Sequence, residues 1–281
     1  MPRCAYVERA VRRNNLVKRV LMSTVKRILH RFGVDIVPYR PPAPALPPDF
    51  DQTISDTVRS VSPFTRTSPE RIFALCEAVA YIVRCEIPGD IVECGVWRGG
   101  SMMAVARTLT QVHDRSRHLY LFDTFEGMPP PGAQDVSYEG LHAEALLEAS
   151  RKEDAYSLWC YSPLEEVKLA FSRIDYPADK LHFVKGLIEE TIPQHAPARI
   201  ALLRLDTDWY ESTRHELVHL FPLIAPGGVL IVDDYGHWRG ARQAVDEYFQ
   251  EHRVPILLNR IDYTGRIGVV PAARADGGAG R

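Results

Sequence analysis

The chain has 281 residues, enough for one large α/β domain with appendages and too many for a single small module. At 46% hydrophobic and 25% charged, with a formal net charge of −2, its composition excludes wholesale disorder. Its longest apolar runs, such as Gly228–Val232 and Ile200–Leu203, are strand-length and far short of the roughly 20 residues that a bilayer span needs.

The near-neutral total hides an asymmetry, because residues 1–31 carry nine Lys or Arg against one acid, Glu8. Leu16, Val17, Val20, Leu21, Val25, Ile28 and Leu29 recur among those cations at helical spacing. Residues 1–40 therefore read as a basic amphipathic segment that packs on the body or on a partner subunit, which makes the chain a candidate homo-oligomer. Contact of residues 1–33 with an anionic membrane surface is the alternative. No recognition motif or second basic face accompanies them, so nucleic acid is not expected as a partner. The segment lacks the continuous apolar stretch and cleavage site of a secretory signal. Five scattered cysteines without a CxxC pair add to the expectation of a reducing, cytoplasmic setting without a disulfide framework or zinc.

Pro41, Pro42, Pro44, Pro47 and Pro48 remove backbone donors and favour extended geometry, so residues 41–62 read as a linker. From residue 63 to 271 helices alternate with short apolar runs, the pattern of a parallel sheet covered on both faces. Ser68-Pro69-Glu70-Arg71 opens a helix through about Val83. Strands are predicted at Asp90–Val96, His118–Phe125, Leu181–Lys185, Arg199–Asp206, Gly228–Asp233, Ile256–Asp262 and Arg266–Val270. The last two are joined by Tyr263-Thr264-Gly265, a hairpin turn. A mostly parallel seven-stranded sheet ending in an antiparallel pair departs from the usual dinucleotide-binding arrangement and suits a methyltransferase-type sheet. Residues 272–281 are glycine-rich and read as a disordered tail.

An open α/β sheet leaves its ligand crevice at the carboxyl ends of its strands, and four strand ends here carry acids. The first runs into Glu93-Cys94-Gly95-Val96-Trp97-Arg98-Gly99-Gly100-Ser101. Its glycines permit close approach, and the helix that follows offers free N–H groups to a carboxylate. The spacing G-x-x-x-G-G is not the dinucleotide fingerprint, which disfavours a nicotinamide-dependent dehydrogenase. Glu93 stands where an ammonium would pair with it, so a zwitterionic amino-acid end fits better. Asp123, ending the second strand, is the candidate ribose ligand, or else a cap on the following turn.

The fourth strand ends in Asp206-Thr207-Asp208 and the fifth in Asp233-Asp234. Like charges that close need a compensating cation. A hard-oxygen set without cysteine indicates Mg²⁺ or a similar ion. The competing reading has these acids capping helices or pairing with Arg204, Arg239 and Arg242.

Glu93–Ser101, Phe122–Met128, Leu205–Thr213, Pro226–Gly236 and Ala241–Asp246 together resemble the macrocin O-methyltransferase family, over roughly residues 63–271. The resemblance implies a Rossmann-like class I methyltransferase fold and methyl transfer from S-adenosylmethionine, with Mg²⁺, to sugar hydroxyls in antibiotic biosynthesis. Glu93, Gly95, Gly99 and Ser101 would hold the methionine end, Asp123 the ribose, and Asp206, Asp233 and Asp234 the metal. Catechol-type enzymes share part of this pattern and are the runner-up. The acceptor is a glycoside or hydroxylated small molecule, or a glycolipid, under a lid expected at Ala143–Ser162. A weakly acidic hydroxyl needs a base for its proton; Asp206 or Asp208 is the expected one and His237 the rival.

Overall fold

The computed structural model describes residues 46–152, 154 and 157–271, together with Leu29 and Gly33. The chain divides into Met1–Ala45 and Leu46–Arg281. The expectations for the basic segment at 1–40 and the tail at 272–281 lie outside the described residues, apart from Leu29 and Gly33. Among the described residues, no helix is long and apolar enough to cross a membrane.

The second unit is a seven-stranded sheet of order β3-β2-β1-β4-β5-β7-β6. Its strands are β1 (Asp90–Cys94), β2 (Leu119–Asp123), β3 (Leu181–Lys185), β4 (Ile200–Leu205), β5 (Ile224–Val232), β6 (Asn259–Arg260) and β7 (Arg266–Val269). The first five run parallel to one another, and β7 runs antiparallel to both β5 and β6. The predicted hairpin is present, although β6 is two residues long where Ile256–Asp262 was expected.

The expected linker through residue 62 is corrected in part. Gln52–Val61 forms a helix, α1, whose Asp51 side chain accepts from the Ile54 N–H at 2.8 Å. Val58 and Val61 of α1 are buried in the core. That apolar face wins over the proline-rich context just before it. Helix α2 (Pro69–Arg84) begins as the sequence indicates, with Ser68 accepting from the Arg71 N–H at 3.2 Å and Pro69 in the first turn. The remaining α-helices among the described residues of the second unit are α3 (Gly100–Gln111), α4 (Ala143–Glu148), α5 (Leu164–Phe171), α6 (Ile188–Thr191), α7 (Tyr210–Leu220) and α8 (Arg239–Glu251).

Two apolar clusters cover the two faces of the sheet, and side chains alternate between them along each strand. Leu202 and Ile91 enter the cluster formed with α1, α2, α3 and α5. Leu203, Leu205, Val92 and Cys94 enter the one formed with α6, α7 and α8. Glu93 and Arg204 share the face of Ile91 and Leu202, and the sheet register sets them opposite each other.

The chain leaves β1 toward β2 on one side and returns to β4 on the other, so the switch point of the sheet lies between β1 and β4. Gly95 follows β1 there with φ 82°, and a Cβ at this position would overlap the backbone oxygen of Asp206. Gly95→Ala therefore meets both a left-handed backbone and a fixed carbonyl, and should cost about 2–4 kcal/mol. A melting temperature equal to the parent's in thermal denaturation would contradict this.

Candidate active site

A cavity of about 310 Å³ opens at the carboxyl ends of the strands. Gly95, Ser101, Asp123, Asp206, Asp208, Asp233, Asp234 and His237, eight of the expected site residues, line it. Glu93 and Gly99 do not. Glu93 is 1% exposed, its Oε1 accepts from Arg204 Nη1 at 2.7 Å, and its Oε2 is buried without a partner. Gly99 begins α3 with φ 84°, and a Cβ there would lie 2.6 Å from Phe171 Cε2. The missing side chain lets the turn after β1 pack against α5.

The organising group is Arg204, the single charge in the β4 run Ile200–Leu205 and 2% exposed. Its Nη1 donates to Glu93 Oε1 and to Asp206 Oδ2 at 2.6 Å. Its Nη2 donates to Asp233 Oδ1 at 2.6 Å and to Thr67 Oγ1 at 3.0 Å. Four partners thus arrive from the ends of β1, β4 and β5 and from the segment before α2. Burial pulls the guanidinium toward neutrality, and Asp206, Asp233 and Glu93 more than reverse this. Thr67 also lies 3.4 Å from Ser101 Oγ, which ties the start of α3 to the cluster.

A second arginine, Arg71 of α2, donates through Nη1 to Asp233 Oδ2 and pairs through Nε with Asp262 Oδ2 at 3.0 Å. Arg239 and Arg242 do not join. Arg242 pairs with Asp246, and Arg239 reaches the Tyr138 carbonyl. Of the three arginines weighed from the sequence, only Arg204 meets the acids.

Two guanidiniums leave the acids in surplus. Burial raises the Glu93 and Asp208 carboxyls to about 7 each. Burial raises Asp206 and Asp234 well above the ordinary carboxylate range. Asp234 Oδ2 is buried without a partner. One oxygen from each of Asp206, Asp233 and Asp234 lies within 4.8 Å of the others. An orphaned buried oxygen within an all-oxygen set fits a hard divalent cation such as Mg²⁺.

Asp208 has φ 69°, a left-handed conformation uncommon for a residue other than glycine or asparagine. This backbone turns the chain between β4 and α7, where Asp208 lines the cavity beside Asp234. His237 is pushed below its ordinary pKa by burial, and its Nδ1 lies 3.2 Å from Tyr263 Oη. Asp123 Oδ2 accepts from the N–H groups of Val96 (2.6 Å) and Trp97 (3.0 Å), and Oδ1 from Phe125 at 2.6 Å. It therefore organises the turn after β1 as well as its own.

Sequence reasoning missed Arg71, Thr67 and Asp135. Asp135, 1% exposed, accepts from the N–H groups of Gly132 at 2.6 Å and of Tyr210, at the start of α7, at 2.8 Å. A Cβ on Gly240 would overlap it, so the loop before α4 is pinned against both α7 and α8. The Trp209 indole donates to the Pro129 carbonyl at 3.0 Å from the same side. The expected lid at Ala143–Ser162 contains α4 and the 157–160 turn, while 153, 155 and 156 lie outside the described residues.

A profile of the macrocin-O-methyltransferase (TylF) family matches residues 44–267. The 8-demethyl-8-(2,3-dimethoxy-alpha-L-rhamnosyl)-tetracenomycin-C 4'-O-methyltransferase of Streptomyces olivaceus is 34% identical over 201 residues, covering 72% of this chain and 73% of the relative. The mycinamicin III 3''-O-methyltransferase of Micromonospora griseorubida is 32% identical over 202 residues, covering 72% and 76%. A solved structure of the O-methyltransferase NovP is 31% identical with a TM-score of 0.63, covering 74% of this chain and 83% of that one. The chain belongs to the macrocin-O-methyltransferase family and is an O-methyltransferase.

Removing Arg204 would leave three carboxylates, two of them buried, without their common partner. Arg204→Met should cost about 3–5 kcal/mol. The sign with pH follows from Glu93 and Asp206, whose folded-state pKa values burial already raises and Arg204 restrains: without the guanidinium they rise further above the unfolded ones. Stability is then greatest where they are protonated and is lost as pH rises through those values. The deficit against the parent should be larger at pH 8 than at pH 5 in denaturant melts; a deficit independent of pH would contradict the assignment.

Proposed function

We propose that this member of the macrocin-O-methyltransferase family transfers a methyl group from S-adenosylmethionine to a hydroxyl of a sugar carried by a small molecule, with Mg²⁺ held by Asp206, Asp233 and Asp234. The observation that carries this reading is the convergence of those three carboxylates within 4.8 Å of one another, beside Asp208, at the wall of one cavity. The sugar acceptor is supported by the tetracenomycin relative, whose name places a rhamnosyl group on its substrate.

The donor supplies a methyl on a cationic sulfonium, and the ion, when bound, favours the alkoxide of an alcohol electrostatically. The rest falls to the chain. The turn from Gly95 to Ser101 and the start of α3 would receive the methionine end of the donor, since Gly95 and Ser101 line the cavity and the first turn of a helix has N–H groups without intrahelical partners. Asp123 would accept from the ribose with the lone pairs its three amide contacts leave. Glu93 lacks an open face and would act through Arg204 rather than by touching the donor.

The acceptor proton goes to Asp208 in this reading. Asp208 lines the cavity beside the three acids of the metal set without belonging to that set, and burial raises its carboxyl above the ordinary carboxylate range, toward a better base. Asp206 is bound to Arg204, which disfavours it as the base, and burial lowers the basicity of His237. Tyr138, 54% exposed, stands edge-on to His237 and Tyr263 with ring centroids at 5.4 and 6.0 Å. These rings would pack against the apolar face of a sugar. In-line alignment of hydroxyl and methyl then supplies much of the acceleration.

Two outcomes are expected. Asp208→Asn should lower kcat by about 10²- to 10⁴-fold while calorimetry gives an S-adenosylmethionine affinity within about twofold of the parent's. Methyl transfer to glycosides, followed by mass spectrometry, should stop in EDTA and return with Mg²⁺. Undiminished turnover in EDTA would end the metal reading.

A further inference from the structure

Both carboxylate oxygens of Asp233 are taken by guanidiniums. Oδ1 accepts from Arg204 and Oδ2 from Arg71. The two arginines are not equivalent. Arg204 is anchored by Glu93, Asp206 and Thr67 as well, all within the sheet or against it. Arg71 comes from α2, lines the cavity, and has one other charged anchor, the Nε contact to Asp262 at 3.0 Å. Asp262 is itself fixed by the N–H groups of Thr264 (2.9 Å) and Gly265 (2.7 Å) and by Ser68 Oγ at 2.8 Å. The turn is shaped for this arginine, since a Cβ on Gly265 would lie 2.8 Å from Arg71 Cδ. Arg71 also feels the charges of Asp206 and Asp234, so all three acids of the candidate metal set act on it.

A divalent ion among Asp206, Asp233 and Asp234 needs an oxygen of Asp233, and none is free of a guanidinium. We propose that Arg71 is a resident counter-ion of the triad: it holds Asp233 in place when no ion is bound and competes with the ion for that carboxylate, setting a weaker affinity for divalent cations than the acids alone would give. This inference rests on the metal reading above. Asp262 keeps Arg71 by its Nε while Nη1 lets go, so the exchange breaks one contact and leaves the side chain tethered. After exchange the positive guanidinium still stands beside the ion, and like charges at that range disfavour occupancy.

The test uses Mn²⁺ as the probe, with the full chain and no substrate, by titration calorimetry or electron paramagnetic resonance of free Mn²⁺. Arg71→Met removes the charge. Arg71→Gln removes it but keeps a donor for Asp233, and stands in if the methionine variant fails to fold. Arg71→Lys keeps the charge. The expected result is Mn²⁺ binding about tenfold tighter in the neutral variants, with Arg71→Lys within about threefold of the parent. Asp234→Asn serves as the control and should lose binding. Neutral variants that bind as the parent does, or more weakly, while the control loses binding, would overturn the counter-ion role and leave the metal reading intact. Absence of binding in the parent and the neutral variants alike would overturn the metal reading, and this inference with it.

Discussion

One buried guanidinium organises the functional end of this molecule. Arg204 sits near the end of the central strand, and parallel pairing places Glu93 opposite it on one side and Ile231, two residues before Asp233, on the other. Because residues two apart share a face of a strand, Glu93, Arg204, Asp206 and Asp233 all point to one side of the sheet. The charge cluster is therefore a product of register. Breaking such a buried pair by removing one partner costs far more than its formation contributes, because the remaining charges have no water to fall back on. This asymmetry makes the cluster a constraint on the whole domain. Thr67 and Arg71 bind into it, and they bring with them the start of α2 and the hairpin turn after β6.

The same cluster is under-neutralised, and its chemistry follows from that. A fold concerned with stability alone would have matched its acids with cations or replaced them with apolar side chains. Here burial holds the Asp208 and Asp234 carboxyls above the ordinary carboxylate range, and a buried oxygen of Asp234 lacks a partner. Asp208 adopts a left-handed backbone and Asp135 pins a surface loop across two helices. Features of this kind are retained where positioning matters more than local stability. Placing them at the switch point of a parallel sheet gives a site with the glycine-bearing turn after β1 on one side and acids with an aromatic rim on the other.

Much of this was legible in the sequence because it depends on local pattern. The strand runs, the hairpin at Tyr263–Gly265, the Ser68 cap and the acids at strand ends all carry their signal within a few residues. The fold and the convergence of Asp206, Asp233 and Asp234 follow from them. What the sequence hid is long-range. Arg71 meets Asp233 across 162 positions, and nothing near Arg71 distinguishes it from an ordinary helical surface arginine. Asp135 lies in a loop with no periodicity. Glu93 looked like a ligand because of the glycines after it, whereas its side chain points with Ile91 into the sheet face and meets Arg204. Residues 52–61 follow a proline-rich stretch, yet their apolar face is buried. A clearer signal was available for Arg204, since an arginine inside an otherwise apolar strand must find buried acids.

The central claim is that Asp206, Asp233 and Asp234 form a cation site held open by Arg204. Crystals of the chain grown with Mn²⁺ and collected at an anomalous wavelength test it most directly. The account predicts one strong anomalous peak about 2.1 Å from an oxygen of each of the three carboxylates, with Arg204 still bridging Glu93 and Asp233. A map with no peak there at saturating Mn²⁺, or with these carboxylates turned away from one another, would contradict it.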